Sequence, residues 1–182
     1  MERHTVYFFD EDDLSWLEPI ADFVKNGLGQ NETVIVIATE QHRLDLKTKL
    51  LADKIIGLEA PSDALYTTLD ASTTLPLFMR NGWPDERLFL NVVGQIIGSI
   101  QKNKAVWIYQ EISAVHLASR DYLVGLHLER LWAKLANNED RSFLCGYPAS
   151  AFKGTANAYF LNEMCACHSE NIGKQKCSDL AA

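Results

Sequence analysis

The sequence predicts an α/β domain, a three-layer sandwich whose mainly parallel central sheet carries helices on both faces. Three observations point there. Thr33-Val34-Ile35-Val36-Ile37-Ala38 is apolar and largely β-branched, the pattern of a strand covered on both faces. Residues 105–109 and 142–147 are two further apolar runs of strand length. The stretches between such runs carry apolar residues at helical spacing, and strand alternating with helix at this interval argues for parallel pairing.

Taken in order, Thr5–Phe9 is a short strand, and Asp10-Glu11-Asp12-Asp13 places negative charge where the next helix begins. Leu14, Leu17, Ile20, Ala21, Val24 and Leu28 recur at helical spacing, with Gly27 and Gly29 at the stop. Pro19 inside that pattern predicts a kink or a helix that starts there. After the 33–38 strand, Leu44, Leu51 and Ile55, widened by Leu50, define a helix face closed by Gly57. A short strand over 65–69 precedes Asp70, which caps a helix over 71–79. Asn81-Gly82-Trp83-Pro84-Asp85 is a turn rich in breakers. Phe89, Val92, Val93, Ile96, Ile97 and Ile100 form the clearest amphipathic stripe. Residues 121–136 read as a long helix with Val124, Leu128, Leu131 and Leu135 on one face, and 159–168 as the final helix. Right-handed crossovers close this order into a doubly wound or nucleoside-triphosphatase-like sandwich.

With 182 residues, 47% of them hydrophobic, the chain suits a single domain over 1–182 with a tail from about residue 171. A formal charge of −7 opposes direct nucleic-acid binding, which needs clustered cations. Pairs such as Lys47/Lys49 and Lys174/Lys176 read as solvated surface. No run reaches the roughly 18 apolar residues of a membrane span. The opening Met1-Glu2-Arg3-His4 lacks the apolar core of a secretion signal, which sets the expectation of a reducing cytoplasm. Four cysteines are too few for a disulfide scaffold at this length.

The turn after the best strand, Ala38-Thr39-Glu40-Gln41-His42-Arg43, has neither the glycines nor the Gly-Lys-Thr/Ser of a phosphate loop. A functional Walker A motif is therefore excluded, and no cofactor is expected. His42 and Arg43 remain candidates for binding an anion. Glu111 emerges from the end of the 105–109 strand, where open α/β sheets place their ligands; Asp70 stands similarly, with capping as its competing role. Cys145 and Tyr147 end another central strand. His168 closes the last helix, and Cys145 with His168 is a thinkable nucleophile and base, although no third residue is identifiable to orient the base. Cys165, Cys167, His168 and Cys177 are a weaker metal alternative; adjacent helical residues such as Cys167 and His168 diverge by about 100°, which hinders a shared centre. His116 and His127 lack the glutamate spacing of a metalloprotease and read as ordinary histidines.

Several phrases in fixed order resemble the MEDS family, the methanogen/methylotroph, DcmR sensory domain. They are His4-Thr5-Val6-Tyr7-Phe8-Phe9, Phe23–Leu28, Asn31–Val34, His42-Arg43 and Leu69-Asp70-Ala71. Leu75, Phe78-Met79, Pro84-Asp85, Phe89, Glu111 and Leu128-Glu129-x-Leu131-Trp132 follow. Leu144-Cys145-x-Tyr147-Pro148, Phe152 and Cys165-x-x-His168-Ser169 complete the series over roughly residues 4–170. Gln110, where a small residue is usual, and the second thiol at Cys167 depart from the pattern.

The resemblance implies a RecA/KaiC-like fold without its phosphate loop, and a sensory or signal-relay role that binds a small organic ligand. Output would pass through a protein partner, a regulator or sensor kinase, and the reading leaves room for a homo-oligomer. No helix-turn-helix or kinase module is visible. The competing readings are a hydrolase or transferase using Cys145 or Glu111, and a purely structural interaction module. A ligand pocket is expected at the C-terminal strand ends, lined by His42, Arg43, Asp70 and Glu111, with Cys145 and Tyr147 on the same wall and His168 joining only if the last helix returns there.

Overall fold

The computed structural model describes residues 4–10, 14–57, 65–100, 105–118, 121–136, 140–152, 158–173 and 175–180. β1 (His4–Phe9) leads through a 3-10 turn at Leu14–Trp16 into α1 (Leu17–Gly29). β2 (Thr33–Ala38) is followed by α2 (Glu40–Ala52), and β3 (Tyr66–Asp70) by the short α3 (Ala71–Thr74). A hairpin of β4 (Met79–Arg80) and β5 (Trp83–Pro84) precedes α4 (Glu86–Ile100). β6 (Val106–Gln110) runs into α5 (Ile112–Ala118) and α6 (Tyr122–Ala136). β7 (Arg141–Pro148) is followed by α7 (Ala158–Ala166), β8 (Glu170–Ile172) and α8 (Cys177–Leu180).

Six strands form the central sheet in the order β3-β2-β6-β7-β1-β8, and every pairing is parallel. The register aligns Ile35, Ile108, Phe143 and His4 in one row, and Ile37, Gln110, Cys145 and Val6 in the row two residues further on. Alternation along each strand then settles the faces. Ile35, Ile37, Ile108 and Phe143 pack with α4 and α6, while Val6, Phe8, Cys145 and Tyr147 continue the same face under α7. Val34, Val36, Trp107, Tyr109 and Leu144 face the other way, against α1 and α2. Helices therefore cover both sides, as the apolar strands require.

Several boundaries differ from the sequence expectations. α1 starts at Leu17, which puts Pro19 in the first turn where its missing N–H is harmless. The segment 71–79 is not one helix: Pro76 converts it to a 3-10 turn at Leu75–Phe78, and Met79 enters a strand. In α2 the buried residues are Leu46 and Leu50, whereas Leu44 is exposed; the helix begins at Glu40, and that phase turns Leu44 outward. Asp70 caps α3 by accepting from the Thr73 N–H. Residues 11–13 of the acidic cap lie outside the described residues. Part of the expected tail joins the sheet, because β8 pairs with β1.

Gly27 shows how closely α1 sits on the sheet: a Cβ there would lie 2.7 Å from Val34 Cγ2 and 2.9 Å from Trp107 Cγ. Gly27→Ala is expected to lower stability by about 1–3 kcal/mol through overpacking. Gly29→Ala, with open space around the new methyl, should be neutral or mildly stabilising. Urea unfolding of the two variants checks this; equal losses would remove close packing as the cause.

Candidate functional site

β2 and β6 are neighbours, yet the helix after β2 packs on one face and those after β6 on the other. This divergence makes their C-terminal ends a topological switch point, the place where open α/β sheets bind ligands. Glu111, one residue beyond β6, sits there and is buried. Its backbone N–H donates to Ile37 O at 2.9 Å, so the sheet itself fixes its position. Oε2 accepts the Thr39 N–H at 3.3 Å and lies 2.9 Å from His42 Nδ1; Oε1 accepts the Tyr109 hydroxyl at 2.5 Å. Burial, then the Glu111 carboxylate, pushes the Tyr109 phenol well above its ordinary range. Thr39 caps α2 by accepting the His42 N–H, which sets the helix phase and hence the aim of His42.

Aromatic rings complete one wall. His42 lies 4.6 Å from the ring of Trp16 and 5.9 Å from that of Phe9. One residue along, Arg43 reaches Asp70 at the end of β3, with Nη2 at 2.8 Å from Oδ2. Burial would raise Asp70, but the Thr73 N–H and Arg43 outweigh it and hold the carboxyl below its usual value. Arg43 Nε is buried without a hydrogen-bond partner among the described residues.

A second polar group lies on the opposite face of the sheet. His4 at the start of β1, Cys145 on β7, Glu129 on α6 and His168 after α7 bring one donor atom each to within 4.8 Å of one another. Cys145 Sγ is 3.3 Å from His4 Nε2. Glu129 Oε2 stands 3.8 Å from His4 Nε2 and 3.1 Å from His168 Nε2, the latter without hydrogen-bond alignment. Glu129 Oε1 accepts from Gln110 Nε2 at 2.9 Å and Ser113 Oγ at 2.6 Å. Burial, and next the neighbouring His168, lower His4 to about 4. Burial alone would raise Glu129, but contact with His168, then His4 and Ser113, bring it down to about 2. The Cys145 thiol is pushed well up by burial and by Glu129. Among the described residues, these four are the group whose donors converge as metal ligands do.

Of the residues singled out from sequence, His42, Arg43, Asp70 and Glu111 thus assemble at the strand ends. Cys145, Tyr147 and His168 do not join them: they lie across the sheet, together with His4 and Glu129. These last two were visible in the sequence only as parts of family phrases. A histidine opening a strand and a glutamate on a helix carry no spacing signal, because their partners are distant in the chain. The alternative metal set of Cys165, Cys167, His168 and Cys177 is not formed. Cys165 and Cys177 are joined in a disulfide, which leaves neither sulfur as a thiolate ligand, and His168 turns inward to Glu129. The same disulfide corrects the expectation of reduced thiols throughout; Cys145 and Cys167 are free.

The domain is a three-layer parallel α/β fold with His42, Arg43, Asp70 and Glu111 gathered at the C-terminal strand ends. The chain matches, over residues 3–169, the family described as MEDS, the methanogen/methylotroph, DcmR sensory domain. It belongs to that family and is a sensory domain. No curated protein matches the sequence significantly. No helix among the described residues is long and apolar enough to cross a membrane.

The bond between Tyr109 and Glu111 anchors the Glu111 carboxylate. Glu111→Ala strands the phenol in the core and is expected to cost about 1–3 kcal/mol. Adding Tyr109→Phe should recover part of that loss, since removing both partners leaves nothing unsatisfied. A double-mutant cycle by urea unfolding reads the coupling; strict additivity would show that the two side chains do not stabilise one another.

Proposed function

We propose that this domain senses a small organic molecule carrying an anionic or hydrogen-bond-accepting group, at the switch-point crevice between β2 and β6. It passes the signal to a protein partner, a transcription regulator or a sensor kinase, and catalyses no reaction. The observation that carries this reading is the buried Nε of Arg43, which has no hydrogen-bond partner among the described residues, on a side chain already aimed by Asp70. Beside it, His42, Trp16 and Phe9 supply the mixed polar and apolar lining that compact ligand sites use. The first turn of α2 holds both His42 and Arg43, so a ligand there acts directly on one helix. Membership in a sensory family supports the role, and the ligand class is read from the donors.

The enzyme alternative has less support. Cys145 is fully buried and its thiol is pushed up, the reverse of what an accessible, activated nucleophile needs.

Thermal unfolding against a panel of small carboxylates, alcohols and halogenated or methylated compounds tests the proposal. A selective ligand at about a hundred times its Kd should stabilise the fold by about 2.7 kcal/mol, and Arg43→Met should abolish that shift. No stabilisation by any compound, or a shift that survives Arg43→Met, would overturn the assignment of this crevice.

A further inference from the structure

The geometry points to a divalent metal site of the zinc class, formed by His4 Nε2, His168 Nε2, Cys145 Sγ and one oxygen of Glu129. It lies on the opposite face of the sheet from the crevice proposed above and does not depend on that reading.

Donor placement is the first argument. Zinc bonds of about 2.0–2.3 Å in a tetrahedron put neighbouring ligand atoms about 3.4 Å apart. Here His4 Nε2 and Cys145 Sγ are 3.3 Å apart, Glu129 Oε2 and His4 Nε2 3.8 Å, and Glu129 Oε2 and His168 Nε2 3.1 Å. All four donors fall within 4.8 Å of one another, so small side-chain adjustments would close a tetrahedron around one ion.

The surrounding contacts orient every ligand. His4 Nδ1 lies 2.8 Å from Cys167 O, and His168 Nδ1 lies 2.7 Å from Met164 O. A carbonyl only accepts, so each Nδ1 must carry the proton, and in the neutral ring each Nε2 then presents its lone pair inward. Metal-bound histidines are typically fixed by such bonds at the other nitrogen. Glu129 is treated likewise: Gln110 and Ser113 occupy Oε1 and leave Oε2 facing the two imidazoles.

Unsatisfied atoms and charge give the third argument. Glu129 Oε2 and His168 Nε2 are buried without a hydrogen-bond partner among the described residues, and the side chains of both are nearly inaccessible, 0% and 1% exposed. Two imidazole lone pairs and a carboxylate oxygen aimed at one point repel one another unless a cation lies between them. A proton shared by His168 and Glu129 is the rival, and it relieves one pair. A divalent ion engages all four donors. When it binds, the Cys145 S–H bond breaks, the proton leaves to solvent, and the sulfur–metal bond forms. One thiolate, one carboxylate and the ion sum to zero charge, which suits a buried site. Thiolate and imidazole ligands select zinc, cobalt or iron over magnesium and calcium. Filling all four positions from protein side chains would make the centre structural.

The test is metal content and cobalt spectroscopy on the full chain. Protein purified without chelators from zinc-supplemented cells should carry about one zinc per chain. After exchange, cobalt(II) should give tetrahedral visible bands and a sulfur-to-cobalt charge-transfer band. Cys145→Ser should lose the charge-transfer band, and Cys167→Ser should keep it. His168→Gln should lower metal content at least tenfold, with circular dichroism confirming the fold. Because ligand variants can fail to fold, chelation of the wild-type protein is the second measurement: EDTA should lower its melting temperature, and zinc should restore it. Wild-type protein that takes up neither zinc nor cobalt, or a charge-transfer band that survives Cys145→Ser, overturns the site and favours the shared proton.

Discussion

Alternation along β6 sends Tyr109 to one face of the sheet and Gln110 to the other, and both faces are buried. The strand is paired on each edge, to β2 and β7, so none of its polar side chains can turn to water. Each must find a partner beneath a helical layer. Tyr109 finds Glu111 under α1 and α2; Gln110 finds Glu129 under α5 and α6. These two polar groups hang from consecutive residues of this central strand.

The same constraint explains why the groups differ in character. The crevice group sits at a strand end, where loops converge and the Arg43–Asp70 pair is partly exposed. The group across the sheet sits between layers, where even Glu129 is inaccessible. A carboxylate there has to be matched by hydrogen bonds and charge; Ser113 and Gln110 satisfy Oε1, and Oε2 faces the two imidazoles. Gly146 belongs to the same face as Tyr109: an added Cβ there would collide with the Tyr109 ring, so β7 makes room for the phenol by omitting a side chain.

The first strand and the turn after α7 both enter the second group. Ser169 donates from its backbone N–H and its hydroxyl to His4 O, at 2.8 and 3.0 Å, and this aligns β8 beside β1. The disulfide from Cys165 to Cys177 ties α8 to the end of α7. Residues 4 and 168, far apart in the chain, are thereby set with ring centroids 4.2 Å apart.

By itself the sequence determined the layers and the parallel sheet, because continuous β-branched runs and helical periodicity are local patterns that burial on both faces enforces. It also placed His42, Arg43, Asp70 and Glu111 at one rim, since each ends a strand, follows one or lies in the first turn of the helix after one, and parallel strands share their direction. The phase of α2, the break at Pro76 and the short α5 depended on packing and turn geometry that periodicity does not encode. Only the tertiary structure decided that Cys145, Tyr147 and His168 lie across the sheet from Glu111. Strand register decides which face a side chain takes, a slip of one residue would reverse it, and the partners that set this register lie in other strands.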